Sequence, residues 1–313
     1  MRKISEMGEF GLIKEIRKMV HKNSRVRAGI GDDCAVADVP ESSQELLMTV
    51  DNVVEGVHFD KSVRPYWIGR KAMARSISDI AAMGGTPQYA LITLGTRGDC
   101  PYRFVKEVYR GLGDMAKFFG AAIVGGDVTS SPKYFFISVA LTGIVPKNKA
   151  LLRSGARSGD FIFVTGNLGG AILGKHFRFR PRVAEGTWLR KNGIPSAMID
   201  VSDGLISDLC HILEESRVGA RVSVEKIPIS RAARKLARQD GRTPMDHALQ
   251  DGEDYELLFT SRVRDPAWMR EFESRFGVGV ACMGQCTHKK TVLEWEDEKK
   301  KRGFIKPQGF THF

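Results

Sequence analysis

The chain has 313 residues, enough for about two domains and a large core that needs no disulfide or metal staple. With 42% hydrophobic and 27% charged residues it is an ordinary globular composition, and 48 Lys and Arg against 37 Asp and Glu leave a formal charge of +11, which favours anionic partners such as nucleotides, phosphate esters, nucleic acid or an anionic membrane. Five cysteines, an odd number with no Cys-x-x-Cys, argue against a disulfide framework and for a reduced cytoplasmic setting. Cys282 and Cys286 read as buried thiols rather than half of a zinc site. The first twenty residues are charged and amphipathic, unlike a signal peptide, and every apolar run is too short to span a bilayer.

In chain order, Phe10, Ile13, Ile16 and Val20 recur at helical spacing over 9–20. LLMTVDNVV over 46–54 reads as a strand. Residues 66–83 read as a helix stopped by Gly84-Gly85, and Thr86-Pro87 forbids its continuation. A short strand over 89–96, a helix over 102–119, the strand AAIVGGD and a strand over 134–145 follow. A polar, Pro-containing stretch at 146–149 marks the expected boundary, with one domain over 1–146 and a second over 147–313. Beyond it come strand FIFVTG, a Gly-rich turn and a helix, then AMIDVS leading into a helix over 203–216. Strands near 220–225, 255–261, 278–284 and 291–295 alternate with helices near 231–239 and 266–275. This order predicts two α/β domains with mixed sheets.

The aspartates carry the chemical signal. Asp33 falls in the tight turn GIGDDCA, Asp51 in the strand MTVD, Asp79 late in a helix, Asp127 after Gly125-Gly126, and Asp200 and Asp203 at a strand-to-helix junction. Strand ends and glycine turns are where function is grafted onto a rigid sheet. Carboxylates converging there repel one another unless a cation lies among them, and Mg2+ and Ca2+ both prefer such oxygen ligands. Mg2+ commonly takes one or two carboxylates plus substrate phosphates, so six Asp point to several ions. Spacing alone does not show that the six meet.

Other motifs weigh less. GGAILGK over 169–175 has the spacing of a phosphate-binding loop up to its lysine, but His176 stands where a Ser or Thr should hold magnesium, so a structural turn is the expectation. Neither Gly-x-Ser-x-Gly nor His-Glu-x-x-His occurs, and the seven His are scattered. No nucleic-acid-binding motif is present, and basic runs such as RKLAR at 234–238 read as solvated helix faces.

Taken together, GEFGLI at 8–13, GIGDDCA at 29–35, TVDNVVEGVHF at 49–59, SDIAAMGGTP at 78–87, GGD at 125–127, LLRSGARSGD at 151–160, IDVSDGLISDL at 199–209, DGEDYELLF at 251–259 and GFTHF at 309–313 resemble the thiamine-monophosphate kinase family across essentially the whole chain. That family lies within a wider superfamily of aminoimidazole ribonucleotide synthetase-like proteins. The resemblance implies that fold, with N-terminal domains pairing into a homodimer and ATP and several Mg2+ ions lying between the domains. It implies phosphoryl transfer from ATP to thiamine monophosphate. It assigns Asp33, Thr49, the Val50 carbonyl, Asp51, Asp79, Asp127, Asp200 and Asp203 to metal, and Gly126, Asp127, Arg153 and Ser202 to ATP. His58, Asp79, Glu253 and Phe310 fall to the acceptor. Val50 stands where relatives often carry a hydroxyl residue, and the basic stretch 174–193 departs from the family pattern. With no nucleic-acid-binding motif and no spanning apolar run, neither a nucleic-acid nor a membrane partner is expected. The rival readings are another ATP-dependent synthetase of the superfamily and, more remotely, a basic nucleic-acid-binding protein.

Overall fold

A computed structural model describes residues 4–21, 23–263, 265–299 and 301–304. Its elements run α1 (Ile4–Met19), β1 (Val26–Ala28), β2 (Ala35–Asp38), β3 (Gln44–Val54), α2 (Pro65–Ala82), β4 (Thr86–Thr96), α3 (Tyr102–Phe118), β5 (Ala122–Ser130) and β6 (Phe136–Pro146). After a connection come β7 (Phe161–Thr165), α4 (Lys175–Arg178), α5 (Val183–Lys191), β8 (Ala197–Asp200), α6 (Leu205–Ser216), β9 (Gly219–Ser223), α7 (Arg231–Asp240), α8 (Pro244–Gln250), β10 (Leu257–Ser261), α9 (Pro266–Phe276), β11 (Val280–Thr287), β12 (Leu293–Glu296) and β13 (Arg302–Phe304). The strands form two mixed sheets, as expected for an α/β chain.

The first sheet has the order β1-β2-β3-β6-β4-β5, antiparallel except where β4 meets β5. Its long strands alternate, so β6 buries Ile137, Val139, Leu141 and Val145 on one face. α2 covers that face with Ile68, Ala72, Met73, Ile77 and Ile80, each at 1% exposure or less. An isoleucine so buried contributes about 1.5–3 kcal/mol. α3 packs on α2 with almost no side chain between them: a Cβ on Gly69 would lie 1.9 Å from the Val108 carbonyl oxygen, and one on Gly111 2.0 Å from that of Tyr66. The opposite face of the sheet is open, with Val50, Tyr89, Leu91 and Val124 all exposed.

The second sheet runs β13-β12-β9-β11-β7-β10-β8 and is clad on both faces. Leu205, Ile206, Leu209 and Ile212 of α6 pack with Val164, Ile199 and Leu258. On the other face Trp188 and Leu189 of α5 and Trp268 and Phe272 of α9 pack with Phe163, Met198 and Phe259. α5 abuts the end of α2 so closely that a Cβ on Gly186 would stand 2.3 Å from the Ala81 carbonyl oxygen. The C-terminal turn of α2 is thereby fixed against both sheets.

The segment 169–175 is structural. Gly170 takes a left-handed turn (φ 72°), a single 3-10 turn covers Ala171–Leu173, and Lys175 Nζ donates to Asp254 (3.4 Å), Glu256 (3.0 Å) and the Asn167 carbonyl (3.1 Å). Its lysine is spent on buried carboxylates. Two helices escaped the sequence reading. α5 follows a basic run interrupted by Pro181, which masks its periodicity. α8 is short, although Thr243, Pro244 and Asp246 spell its capping box. No helix among the described residues is long and apolar enough to cross a membrane.

Candidate active site

The site is organised by one stripe of α2. Lys71, Arg75 and Asp79 recur every fourth residue and so share a face. At the C-terminal end of that stripe Asp79 Oδ2 accepts from Thr49 Oγ1 of β3, and the neighbouring Ser78 Oγ donates to Asp200 Oδ2 at the end of β8. Asp33 enters from the turn after β1, where Gly31 supplies φ 123°. Asp33, Asp79 and Asp200 offer carboxylate oxygens that all lie within 4.8 Å of one another.

Electrostatics make this cluster costly without a cation. Burial, then repulsion from Asp51, Asp200 and Asp33, pushes the Asp79 carboxyl well above its usual range. Burial, with Asp33 beside it, pushes Asp200 up to about 7. Asp33 is raised by burial against the pull of Arg153, whose Nη2 lies 2.7 Å from Asp33 Oδ1. Asp33 Oδ2 is buried with no hydrogen-bond partner, as are Arg75 Nε and Arg153 Nε. Three convergent carboxylates, one with an orphaned oxygen, suit a hard divalent cation such as Mg2+. Asp51 joins the rim, its Oδ1 accepting from Arg75 Nη2 at 3.3 Å.

A cleft of about 410 Å3 opens beside the cluster, lined among others by His58, Arg75, Ser202, Asp203, Glu253 and Tyr255. The backbone here is strained: Glu253 and Tyr255 have φ of 54° and 51°, next to Gly252 at 70°. Bonds from Glu253 N to Ser202 O (2.7 Å) and from Tyr255 N to Val201 O (2.8 Å) hold it, and Tyr255 stacks on Phe179 with ring centroids 3.8 Å apart. The strain points the Glu253 carboxylate at Lys71, which is fully buried: Nζ lies 2.6 Å from Glu253 Oε1 and donates to the His58 carbonyl at 3.0 Å. His58 Nδ1 accepts from the Val54 N–H at 3.1 Å, which holds the ring as an Nε2–H donor.

Not every expected residue converges. Val50 lies on β3 between Thr49 and Asp51, so its side chain (61% exposed) points to the open face of the sheet, away from the carboxylates. Asp127 and Gly126 are exposed on edge strand β5. Asp127 pairs with Thr93, three strands from Asp51 and on the opposite face, so within one chain it does not reach the cluster. Asp203 groups instead with Asp208 and His211. Phe310 lies outside the described residues. Sequence reading missed Lys71, Arg75, Ser78 and Asp32, the last accepting the Arg153 backbone N–H at 2.8 Å. A lysine among Ile68, Ala72 and Met73 was the available signal, because a charge on an apolar helix face is buried only when paired.

Known proteins resemble this chain in sequence and fold. Residues 31–145 match the family described as AIR synthase related protein, N-terminal domain. A thiamine-monophosphate kinase of Rhodopirellula baltica is 39% identical over 97% of each chain, and that of Escherichia coli (strain K12) is 35% identical over 90% of each. The fold superposes on AaThiL complexed with AMPPCP and TMP at TM-score 0.84 and 31% identity, covering 100% of this chain and 99% of that one. With such identity over nearly the whole length of each chain, the chain belongs to the thiamine-monophosphate kinase family.

Proposed function

We propose that the chain transfers the γ-phosphoryl group of ATP to thiamine monophosphate, giving thiamine diphosphate and ADP. The observation that carries this reading is the packing of Asp33, Asp79 and Asp200 within 4.8 Å, with Arg153 paired to Asp33. These three, with Asp51, Thr49, the Val50 carbonyl and Asp203 around them, would hold Mg2+. Bound there, Mg2+ would neutralise the charge of both phosphate groups.

The protein's own residues divide the remaining work. Burial disfavours the Arg153 charge, but Asp33 and Asp32 beside it outweigh that, so a charged guanidinium faces the phosphate oxygens. Ser202, with Gly126 and Asp127, belongs to the nucleotide side. Glu253 and the Nε2–H of His58 face the acceptor, Lys71 fixes both, and Phe310, outside the described residues, is assigned to the acceptor by the family resemblance. An acceptor that is already a phosphate monoester has a second pKa near ~6 and needs no general base at neutral pH. Its oxygen attacks the γ-phosphorus in line, the bond to the bridging oxygen breaks, and ADP leaves. Catalysis is therefore positioning and charge neutralisation, in keeping with a site rich in carboxylates and guanidinium. A chiral γ-phosphorus should emerge inverted; retention would mean a phosphoenzyme and overturn direct transfer.

Asp127 and Gly126 fit this role only if a second copy brings its β5 edge to the cluster. The open sheet face, with Val50, Tyr89, Leu91 and Val124 exposed, supports a homodimer through that face. The same reading divides the chain into an ATP- and metal-binding domain over 1–146 and a domain over 147–313 that closes the cleft, and places the enzyme in the cytoplasm.

A further inference from the structure

Arg75 stands on α2 one turn from Lys71 and one turn from Asp79, and its side chain, 16% exposed, lines the cleft with His58, Glu253 and Tyr255. A guanidinium carries five N–H donors. Among the described residues Arg75 makes one side-chain hydrogen bond, from Nη2 to Asp51 Oδ1 at 3.3 Å, longer than the roughly 2.7–2.9 Å of a strong charged pair. Its Nε is buried with no partner. A buried cation matched so loosely is costly unless a ligand completes it.

The neighbouring cations are committed elsewhere. Lys71 is spent on Glu253 and the His58 carbonyl. Arg242, which also lines the cleft, donates to Asp251 (3.1 Å), the Asp246 carbonyl (3.3 Å) and Gln250 (3.1 Å). Arg153 pairs with Asp33 at 2.7 Å. Burial opposes the charge on Arg75, but Tyr255, Asp51, Glu253 and Asp79 around it outweigh burial, so the side chain stays a cation.

A planar fork with unspent donors matches a phosphate group, which it can hold through two parallel N–H···O bonds. Both substrates carry phosphate, and position separates them. Arg75 lies between Lys71, which holds Glu253 and His58, and Asp79, and these last three fall to the acceptor. The nucleotide has its own guanidinium in Arg153. We infer that Arg75 clamps the phosphate of the acceptor and so makes the site select a phosphate monoester over the corresponding alcohol; this rests on the phosphoryl-transfer reading above. Two N–H groups would hold two of the three terminal oxygens and leave the third to attack the γ-phosphorus. The guanidinium charge also offsets repulsion between the two phosphates as they approach.

The test uses the full chain in Mg2+ with a non-hydrolysable ATP analogue bound, and titrates thiamine monophosphate and thiamine separately by calorimetry. Thiamine has the same rings and no phosphate. Arg75→Met should raise the Kd of thiamine monophosphate about 10- to 100-fold, the loss expected for charged hydrogen bonds, and leave that of thiamine nearly unchanged. Arg75→Lys, which keeps the charge without the fork, should fall between. In turnover the acceptor's KM should rise while that of ATP holds. Equal weakening of both ligands would mean that Arg75 only supports the cleft, and a loss confined to the ATP analogue would put it on the nucleotide; either result overturns the proposal. If the unaltered chain binds the analogue but not thiamine monophosphate, the assigned acceptor is wrong, and inorganic phosphate becomes the probe. Weaker phosphate binding in Arg75→Met then still supports the clamp, and equal or absent binding refutes it. Circular dichroism checks the fold of both variants, and Arg75→Lys carries the comparison alone should Arg75→Met fail to fold.

Discussion

Removing the cation should make stability fall with rising pH, and Asp200 is the residue through which to measure it. Its carboxyl, 2% exposed, is pushed by burial and by Asp33 from an ordinary 3.8 to about 7. Below pH 3.8 both folded and unfolded chains are protonated there and the group is neutral in the balance. As pH rises toward about 7 the unfolded chain ionises first, the folded state retains the proton, and stability falls. Each pH unit is worth about 1.36 kcal/mol, so the interval from 3.8 to about 7 costs about 4 kcal/mol once complete. Urea unfolding in EDTA across that range should show the wild-type chain losing this much more than Asp200→Asn, which keeps an acceptor for Ser78. Excess Mg2+ should flatten the wild-type profile, because a ligand of the folded state stabilises it by mass action. Parallel profiles for the two proteins in EDTA would refute the reasoning, because Asp200 would then ionise freely in the folded chain.

Four further outcomes can be checked. Glu253→Gln strands the fully buried Lys71 ammonium and should cost on the order of 3 kcal/mol in urea unfolding, whereas Lys71→Met should cost clearly less. Gly111→Ala should destabilise by at least about 1–3 kcal/mol through its clash with the Tyr66 carbonyl, while Gly113→Ala, with open space around it, should stabilise by about 0.5–1 kcal/mol. Arg153→Lys should lower kcat/KM for ATP by roughly 10- to 100-fold, losing the planar fork, with a much smaller change in the acceptor's KM. Phe310→Ala should raise the acceptor's KM by about 2- to 30-fold, the equivalent of a cation–π contact, and leave that of ATP unchanged.

Much of the fold was legible because the long elements repeat their apolar residues at a fixed period: α2, α3, β3 and β6 fall within two residues of the expected bounds. The boundaries drift where pairing extends a strand past its apolar run, as when β4 begins at Thr86 because Thr86 and Pro87 pair with Ile144 and Gly143. Asp33, Asp79 and Asp200 were visible as carboxylates beside glycines and apolar strand ends, yet only the crossing of α2 between two sheets brings them together. Asp127 looked equivalent in sequence and lies on the far face of an edge strand, since strand order is not written in local pattern. Lys71 was hidden for the opposite reason: its partner Glu253 lies 182 positions away. The apparent phosphate loop at 169–175 failed as its His176 foretold.

The most direct measurement is conversion of thiamine monophosphate to thiamine diphosphate by the purified chain with ATP, in Mg2+ and in EDTA. Stoichiometric ADP and thiamine diphosphate in Mg2+, with turnover abolished by EDTA and sharply reduced in Asp79→Asn, is the expected result. Absence of product from folded protein that binds ATP would contradict the assigned acceptor, and undiminished turnover in EDTA would contradict a site built on metal-bound carboxylates.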